Sequence, residues 1–123
     1  MNNNYEESYF ERGMVEYEKG DYFQAHDIWE ELWSDYSQKD RLFIQGLIQL
    51  SVSFVHLQNG NLTGARNLLM KCRPKFDNYS GNQRGINMQD LKESLEILSI
   101  VYKELKTPQD FDWDLVPILK GKI

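Results

Sequence analysis

Three side chains capable of chemistry, His26, Glu30 and Trp33, follow one another at spacings of four and three residues. At about 100° per residue they fall within an arc of about 60° on one face of a helix. An imidazole and a carboxylate on adjacent turns can bind one divalent cation, and a carboxylate can also activate a bound water as a base. The spacing therefore makes His26 and Glu30 candidate metal ligands and Glu30 a candidate catalytic base.

A second polar stripe lies in the stretch 42–57, which is otherwise apolar nearly all round. Buried polar groups are costly unless they are hydrogen-bonded, so the stripe must pair with its own members, with water or with a ligand. A turn at residues 37–40 would form an antiparallel hairpin and bring this stripe to the face of Glu30. The predicted site is thus lined by Trp33 and by the stripe residues Gln45, Gln49, Ser53 and His56.

The metal interpretation needs more than the first two ligands, because zinc usually takes three or four. His56 or Glu31 could add a third metal ligand, and His56 is the candidate we retain; Arg66 is a candidate lining residue that can pair with Glu30. These ligand types fit a divalent metal without distinguishing zinc, manganese and nickel. The same residues have an alternative interpretation, in which a His/Glu/Gln network is purely structural and fixes the register of the helices.

The elements that must position these residues are predicted to be helices almost throughout. Gly20 followed by Asp21 is typical of a helix end followed by a helix start, and Gly60 with Asn61 repeats the pattern 40 residues later. Pro74 predicts a kink or an end near Arg73. The periodicity predicts helices over residues 4–19, 22–36, 42–57 and 91–105, with a polar linker at 80–87. It predicts a fourth helix from Leu62, whose apolar stripe continues past that kink or end to Tyr79.

The predicted fold class is all-α: a five-helix bundle of two antiparallel helical hairpins plus a C-terminal helix and a strap-like tail. A chain of 123 residues has room for one domain, so residues 1–123 are expected to form a single all-helical domain. The motif-bearing region covers about residues 7–79, and the C-terminal helix and tail cover 88–123. The tail is expected to pack across the bundle because it carries Phe111 and Trp113.

Composition limits the partners and the compartment. The net charge of −5 disfavours nucleic acid, although residues 41–86 carry six basic and one acidic side chains. No stretch is a convincing membrane span, and no glycine-rich phosphate loop is present, so no nucleotide or organic cofactor is expected. The single Cys72 and the lack of a signal-peptide pattern at the N-terminus predict a cytoplasmic protein. The expected partner is therefore an unknown small-molecule substrate or another protein.

The motif His-x3-Glu-x2-Trp at residues 26–33 is the hallmark of a bacterial and archaeal family called domain of unknown function 309. The chain resembles that family over about residues 7–79, in the segments 20–26, 43–50, 56–61 and 64–66. The resemblance implies an all-helical fold and a suspected metal role, since relatives have been labelled predicted metal-dependent hydrolases. It implies no particular substrate.

Two functional hypotheses follow from these observations. The first is a small cytoplasmic protein of unknown specific activity whose buried His26/Glu30 centre binds a divalent metal and supports hydrolysis. The second is a non-enzymatic, helical-repeat-like interaction module, in which the partner is a protein and the same polar centre is structural.

Overall fold

A computed structural model describes residues 3–35 and 38–120 of the chain. The helices, in chain order, are α1 (Asn3–Glu18), α2 (Tyr22–Asp35), α3 (Arg41–Gln58), α4 (Leu62–Cys72) and α5 (Met88–Glu104). Two short antiparallel strands, β1 (Asn82–Gln83) and β2 (Ile86–Asn87), precede α5. Short 3-10 helices lie at Arg73–Phe76, Pro108–Asp110 and Trp113–Leu115. Residues 36 and 37, where the predicted second helix ends and the predicted turn begins, lie outside the described residues.

The helices pack in the order in which they follow one another along the chain. α1 packs against α2, α2 against α3, and α3 against α4, while α5 packs on α4. The predicted all-α bundle of two antiparallel hairpins with a C-terminal helix is therefore confirmed.

The two predicted hairpin turns have the same local structure. Gly20 and Gly60 adopt φ values of +83° and +79°, a left-handed conformation that favours glycine at a helix end. The side chain of Asp21 then accepts a hydrogen bond from the backbone N–H of Gln24. Asn61 caps α4 in the same way, through the N–H of Gly64. The repeat seen in the sequence thus encodes two equivalent connections.

α3 is the central helix, and its two neighbours bury most of its surface. Gly46 of α3 lies against the ring of Phe76, and a Cβ atom at residue 46 would stand 2.7 Å from the Cζ of that ring. This glycine lets the segment after α4 approach α3 closely. The buried residues of α3 are Phe43, Ile44, Gly46, Leu47, Ile48, Leu50, Ser51, Ser53, Phe54 and Leu57.

The segment between α4 and α5 agrees with its prediction at Pro74 and differs from it in the linker. α4 ends at Cys72, and the chain continues as a 3-10 helix that contains Pro74, which confirms the expected helix end. The linker then forms the β1–β2 hairpin, which the sequence did not predict. Arg84 in its turn has a positive φ of 51° and donates two hydrogen bonds to the carboxylate of Asp40. The hairpin is thereby attached to the start of α3.

The tail after α5 packs across the bundle, as predicted, and the structure places it on the first hairpin. The hydroxyl of Tyr17 in α1 donates a 2.8 Å hydrogen bond to the carbonyl of Pro117. Trp113 stacks on Tyr22 with the ring centroids 6.0 Å apart, and Phe111 is buried beside it. The tail thus covers the aromatic end of α1 and α2. None of the described helices is both long enough and apolar enough to cross a membrane.

Candidate functional site

A small cleft crosses the surface where α2, α3 and α4 come together. α2 contributes Glu30, Trp33 and Ser34, and α3 contributes Gln45 and Gln49 with their apolar neighbours. Leu68 supplies the wall on α4. The volume is about 310 Å³, which lies at the small end of the range for ligand pockets. The predicted meeting of the two polar stripes therefore takes place at this cleft for Glu30, Trp33, Gln45 and Gln49.

Two polar atoms among the cleft residues are buried without a hydrogen-bond partner in the described part of the chain: Trp33 Nε1, which is a donor, and Gln49 Oε1, which is an acceptor. Such atoms are rare in folded proteins, because an unpaired buried polar group costs about 1–3 kcal/mol. Ser51 Oγ is in the same condition on α3, but Ser51 does not line the cleft. The alternative interpretation, a structural network that satisfies all of its own members, is therefore incomplete at Gln49, whose side-chain oxygen has no partner.

The position of Trp33 is fixed by the first residue of α3. The guanidinium of Arg41 donates a 2.7 Å hydrogen bond to the carbonyl of Trp33 and lies 4.1 Å from the centre of its ring. A cation over an indole face is an attractive arrangement. The half-buried indole is therefore held at the cleft, whereas Trp29, four residues earlier, is fully buried and donates to the carbonyl of Phe10.

His26 lies one turn before Glu30 on α2 and is not among the cleft-lining residues. Its Nδ1 lies 2.8 Å from the carbonyl oxygen of Phe23, and its ring makes an edge contact with the exposed ring of Phe23. A hydrogen bond from Nδ1 to a carbonyl leaves Nε2 as the ring nitrogen that can bind a ligand.

Ser53 does not face α2, and this part of the prediction is wrong. Its hydroxyl donates to the carbonyl of Ala65 in α4 and lies 2.9 Å from the hydroxyl of Tyr102 in α5. Each step of four residues rotates a side chain by about 40° around the helix. Two such steps from Gln45 carry Ser53 from the α2 side of α3 to the α4 side.

The structure also places His56 and Arg66 away from the cleft. His56 lies at the turn between α3 and α4, where its Nδ1 is 3.3 Å from the side-chain nitrogen of Asn61. Arg66 does not pair with Glu30; its guanidinium donates to the backbone carbonyls of Tyr102 and Leu105. Those carbonyls belong to the C-terminal end of α5, which attracts a cation because they lack partners within the helix.

The His, Cys, Asp and Glu side chains of the described residues do not assemble a complete site for a resident metal ion. Nowhere in residues 3–35 and 38–120 do three His, Cys, Asp or Glu side chains form a group that could hold one. His26 and Glu30 would supply two ligands at most, and His56 does not join them in such a group. The side chains that the chain brings together therefore do not fit a complete zinc-type site, which needs three or four protein ligands in most cases.

The groups with shifted pKa values lie outside the cleft. Burial raises the pKa of the Cys72 thiol to about 12, so this free cysteine is not poised as a nucleophile. Burial also raises the pKa of Tyr17 and of Tyr102. These groups belong to the core rather than to a reactive centre.

Sequence reasoning missed five contributors to the site: Ser34, Ile48, Val52, Leu68 and Arg41. Ser34 follows Trp33 and was predictable from the α2 face, which it shares with Glu30. Leu68 required the register between α3 and α4, which periodicity within one helix does not supply. Arg41 acts through its contact with Trp33 across the α2–α3 turn, a contact that no spacing rule predicts.

A larger groove of about 670 Å³ runs between α4 and α5. Its walls include Leu69, Met70 and Leu95, and its rim carries the ion pair between Arg73 and Glu96. Apart from Arg66, none of the side chains predicted to form the site lines this groove. It is therefore separate from the α2–α3–α4 cleft.

The fold and the cleft together define an all-helical domain built from consecutive hairpins with a polar cleft across three helices. A family model described as a domain of unknown function (DUF309) matches residues 10–68 of the chain. The resemblance to this family that the His-x3-Glu-x2-Trp motif predicted is thereby confirmed over this segment. The segment contains every residue that lines the cleft, from Glu30 to Leu68, and excludes α5 and the tail.

Two curated relatives carry no functional description. The chain is 28% identical over 106 residues to the uncharacterized protein YpuF of Bacillus subtilis, covering 84% of this chain and 59% of that protein. It is 26% identical over 97 residues to an uncharacterized protein of Aquifex aeolicus, covering 78% of this chain and 29% of that protein. The chain thus spans less than two thirds of either relative.

Proposed function

We propose that the protein is a non-enzymatic interaction module that binds a segment of a partner protein in the α2–α3–α4 cleft. The observation that carries this proposal is the pair of unpartnered polar atoms, Trp33 Nε1 and Gln49 Oε1, among the residues that line one cleft. Both atoms are shielded from solvent in the unbound protein, so a ligand reaches them when the two side chains rotate toward the cleft. A ligand that then accepts from the indole and donates to the amide oxygen removes the cost of both. The free-energy cost of the two unpaired atoms in the unbound protein is then recovered as binding free energy.

The other groups in the cleft support recognition rather than bond cleavage. Glu30 is its only ionisable residue and is exposed, and the remaining polar side chains are an indole, a hydroxyl and two amides. Groups of this kind orient a ligand through hydrogen bonds, and the apolar residues Ile48, Val52 and Leu68 supply contact area. Serially packed helical hairpins also present such surfaces in helical repeat proteins.

Selection of peptides on the full chain tests this function. A phage-displayed library of random decapeptides is selected against the wild-type protein, and the binders are measured again with Gln49→Met and Trp33→Phe. Gln24→Met is the matched control, since Gln24 is exposed on α2 and does not line the cleft. The proposal expects binders that lose about tenfold in affinity with each cleft variant and none with the control. A selection that yields no peptide sensitive to both cleft variants overturns it.

Metal-dependent hydrolysis at His26 and Glu30 is the second candidate. It is favoured by the contact between His26 Nδ1 and the Phe23 carbonyl, since metal-binding histidines usually hold their second nitrogen in this way. Calorimetric titration with zinc, manganese and nickel tests it directly. Heat that His26→Ala and Glu30→Gln both abolish would support a metal site, and the absence of heat for all three metals would reject it.

A further inference from the structure

The same cleft has features that specify the kind of segment it binds. Resting on the function proposed above, we infer that the occupant is an extended, positively charged segment of a protein. One of its backbone peptide groups pairs with Trp33 Nε1 and Gln49 Oε1, and a lysine or arginine side chain next to it pairs with Glu30.

The pairing of a donor with an acceptor in the cleft favours an extended backbone. Trp33 Nε1 needs an acceptor and Gln49 Oε1 needs a donor, and a peptide group offers one C=O and one N–H. In a helix the backbone N–H and C=O groups are already hydrogen-bonded to neighbouring turns, so a helical ligand has no free backbone donor or acceptor along its length. A helix docks instead through an apolar stripe in an apolar groove. The cleft, with two amides and a carboxylate among its lining residues, does not offer such a groove.

The size of the cleft agrees with a narrow occupant. Its volume of about 310 Å³ is less than half that of the groove between α4 and α5, which is about 670 Å³. A strand-like segment presents a single backbone and one side chain at a time to such a site, whereas a helix is about 10 Å across.

The charge of α2 determines the sign of the ligand. The helix carries Asp27, Glu30, Glu31 and Asp35 and contains no lysine or arginine. Among the described residues, none of these four carboxylates takes part in an ion pair. The C-terminal end of α2, close to Glu30 and Trp33, adds the negative end of the helix dipole. Arg41 contacts this end of α2, where it is engaged with the carbonyl and the ring of Trp33.

The first arm of the experiment measures charge. The peptides that depend on Gln49 and Trp33 are synthesised with a fluorescein label, and their affinities for wild type and Glu30→Lys are measured by fluorescence polarisation. We expect lysine or arginine in each peptide and a loss of about tenfold or more with Glu30→Lys. The matched control is Glu18→Lys, because Glu18 is exposed at the end of α1 and does not line the cleft. Peptides that are neutral or acidic would overturn the inference.

The second arm measures the backbone contact. Each peptide is resynthesised with single N-methyl groups along its backbone, which removes one N–H at a time. The indole N–H signal of Trp33 is followed by ¹H–¹⁵N NMR, with Trp29 as the internal control because its indole is already bonded to Phe10. We expect one N-methyl position to weaken binding by about tenfold, and the Trp33 signal alone of these two to move downfield on binding. Tight binding by every N-methylated peptide, or a helical bound peptide, would overturn the extended-segment inference.

The outcomes separate the two levels of the proposal. If the selected peptides depend on Gln49 and Trp33 but are acidic, neutral or helical, the inference about the ligand fails and the interaction module survives. If no selected peptide depends on these two residues, the proposed function fails and the inference about its ligand fails with it.

Discussion

At the scale of single residues, a buried polar anchor lies outside the cleft, at Asp40. Its carboxylate accepts hydrogen bonds from Arg84 and from Gln83 and thereby attaches the β1–β2 hairpin to the start of α3. Burial acts to raise the pKa of Asp40, but the hydrogen bonds from Arg84 and Gln83 and the charge of Arg84 outweigh it and lower the pKa below its ordinary value of 3.8.

This anchor gives the first prediction, which concerns Asp40→Asn. Because Asp40 and Arg84 are only 10% and 21% exposed in their side chains, we expect a loss of about 2 kcal/mol in the free energy of unfolding at pH 7. A lowered folded-state pKa gives stabilisation that is complete above pH 3.8 and disappears as the pH falls through that lower pKa. Urea unfolding at pH 7 and at pH 3 measures the difference, with Asp110→Asn as an exposed control. An equal difference at both pH values would contradict the assignment.

The second prediction concerns the hydroxyl pair between Ser53 and Tyr102. Both side chains are buried, and Ser53 donates to the carbonyl of Ala65 while accepting from the Tyr102 hydroxyl, so Ser53→Ala leaves that buried hydroxyl without a partner. We expect a loss of about 1–3 kcal/mol in thermal or urea unfolding. Ser99→Ala is the control, because Ser99 bonds only within its own helix at an exposed site. A loss no larger than that of the control would show that the pair does not join α3 to α5.

These residues also show which parts of the site the sequence encodes. Spacing within one helix correctly predicted that Gln45 and Gln49 share a face with Glu30 and Trp33 across the hairpin. It failed at Ser53, because the stripe rotates about 40° with each four-residue step. It also failed at Arg66, whose carbonyl partners on α5 lie 36 and 39 residues away. Contacts that depend on the packing of distant helices were not predictable from periodicity.

At the scale of secondary-structure elements, the close approach between α3 and the segment after α4 depends on Gly46. The third prediction is that Gly46→Ala destabilises the protein, since the new Cβ would stand 2.7 Å from the ring of Phe76 and 3.0 Å from the Cβ of Lys75. An alanine inside a helix is normally favoured over glycine by about 1 kcal/mol, so a loss of about 1–3 kcal/mol would identify overpacking. Circular dichroism melts measure it. An increase in melting temperature would mean that α3 and this segment have room to separate.

The helices were predictable because their signals are local. Gly20 and Gly60 end two helices through left-handed backbone conformations, and Pro74 ends a third through its missing N–H. The β1–β2 hairpin was not predictable, since its strands are two residues long and its turn is attached through Asp40, which is more than 40 residues away. A short strand without an apolar alternation carries no periodic signal.

At the scale of the whole molecule, the tail ties the end of the chain to its first helix. The fourth prediction is that Tyr17→Phe weakens this attachment, because it removes the hydrogen bond from the Tyr17 hydroxyl to the Pro117 carbonyl across 100 residues. We expect a loss of about 1 kcal/mol and faster amide hydrogen exchange in residues 111–119. Tyr102→Phe serves for comparison, since it removes a buried hydroxyl elsewhere in the core. Unchanged exchange in the tail would contradict the attachment.

The same scale relates stability to binding. An unpaired buried acceptor at Gln49 makes the unbound molecule less stable than it would be with an apolar side chain of the same shape at that position. Function commonly retains such costs, because a binding site that is already satisfied has little to gain from a ligand. We therefore expect that replacing the unpaired polar group in the cleft with an apolar one increases the free energy of unfolding.

Urea unfolding of Gln49→Met, compared with Gln24→Met and wild type, is the most direct test of this account. Methionine keeps the length of glutamine and removes the unpaired oxygen. The account predicts that Gln49→Met is as stable as wild type or more stable by about 1 kcal/mol, while Gln24→Met is unchanged. A loss of about 1 kcal/mol or more for Gln49→Met alone would show that Gln49 is paired in the unbound protein. It would contradict the claim that the cleft keeps this oxygen unpaired for a ligand.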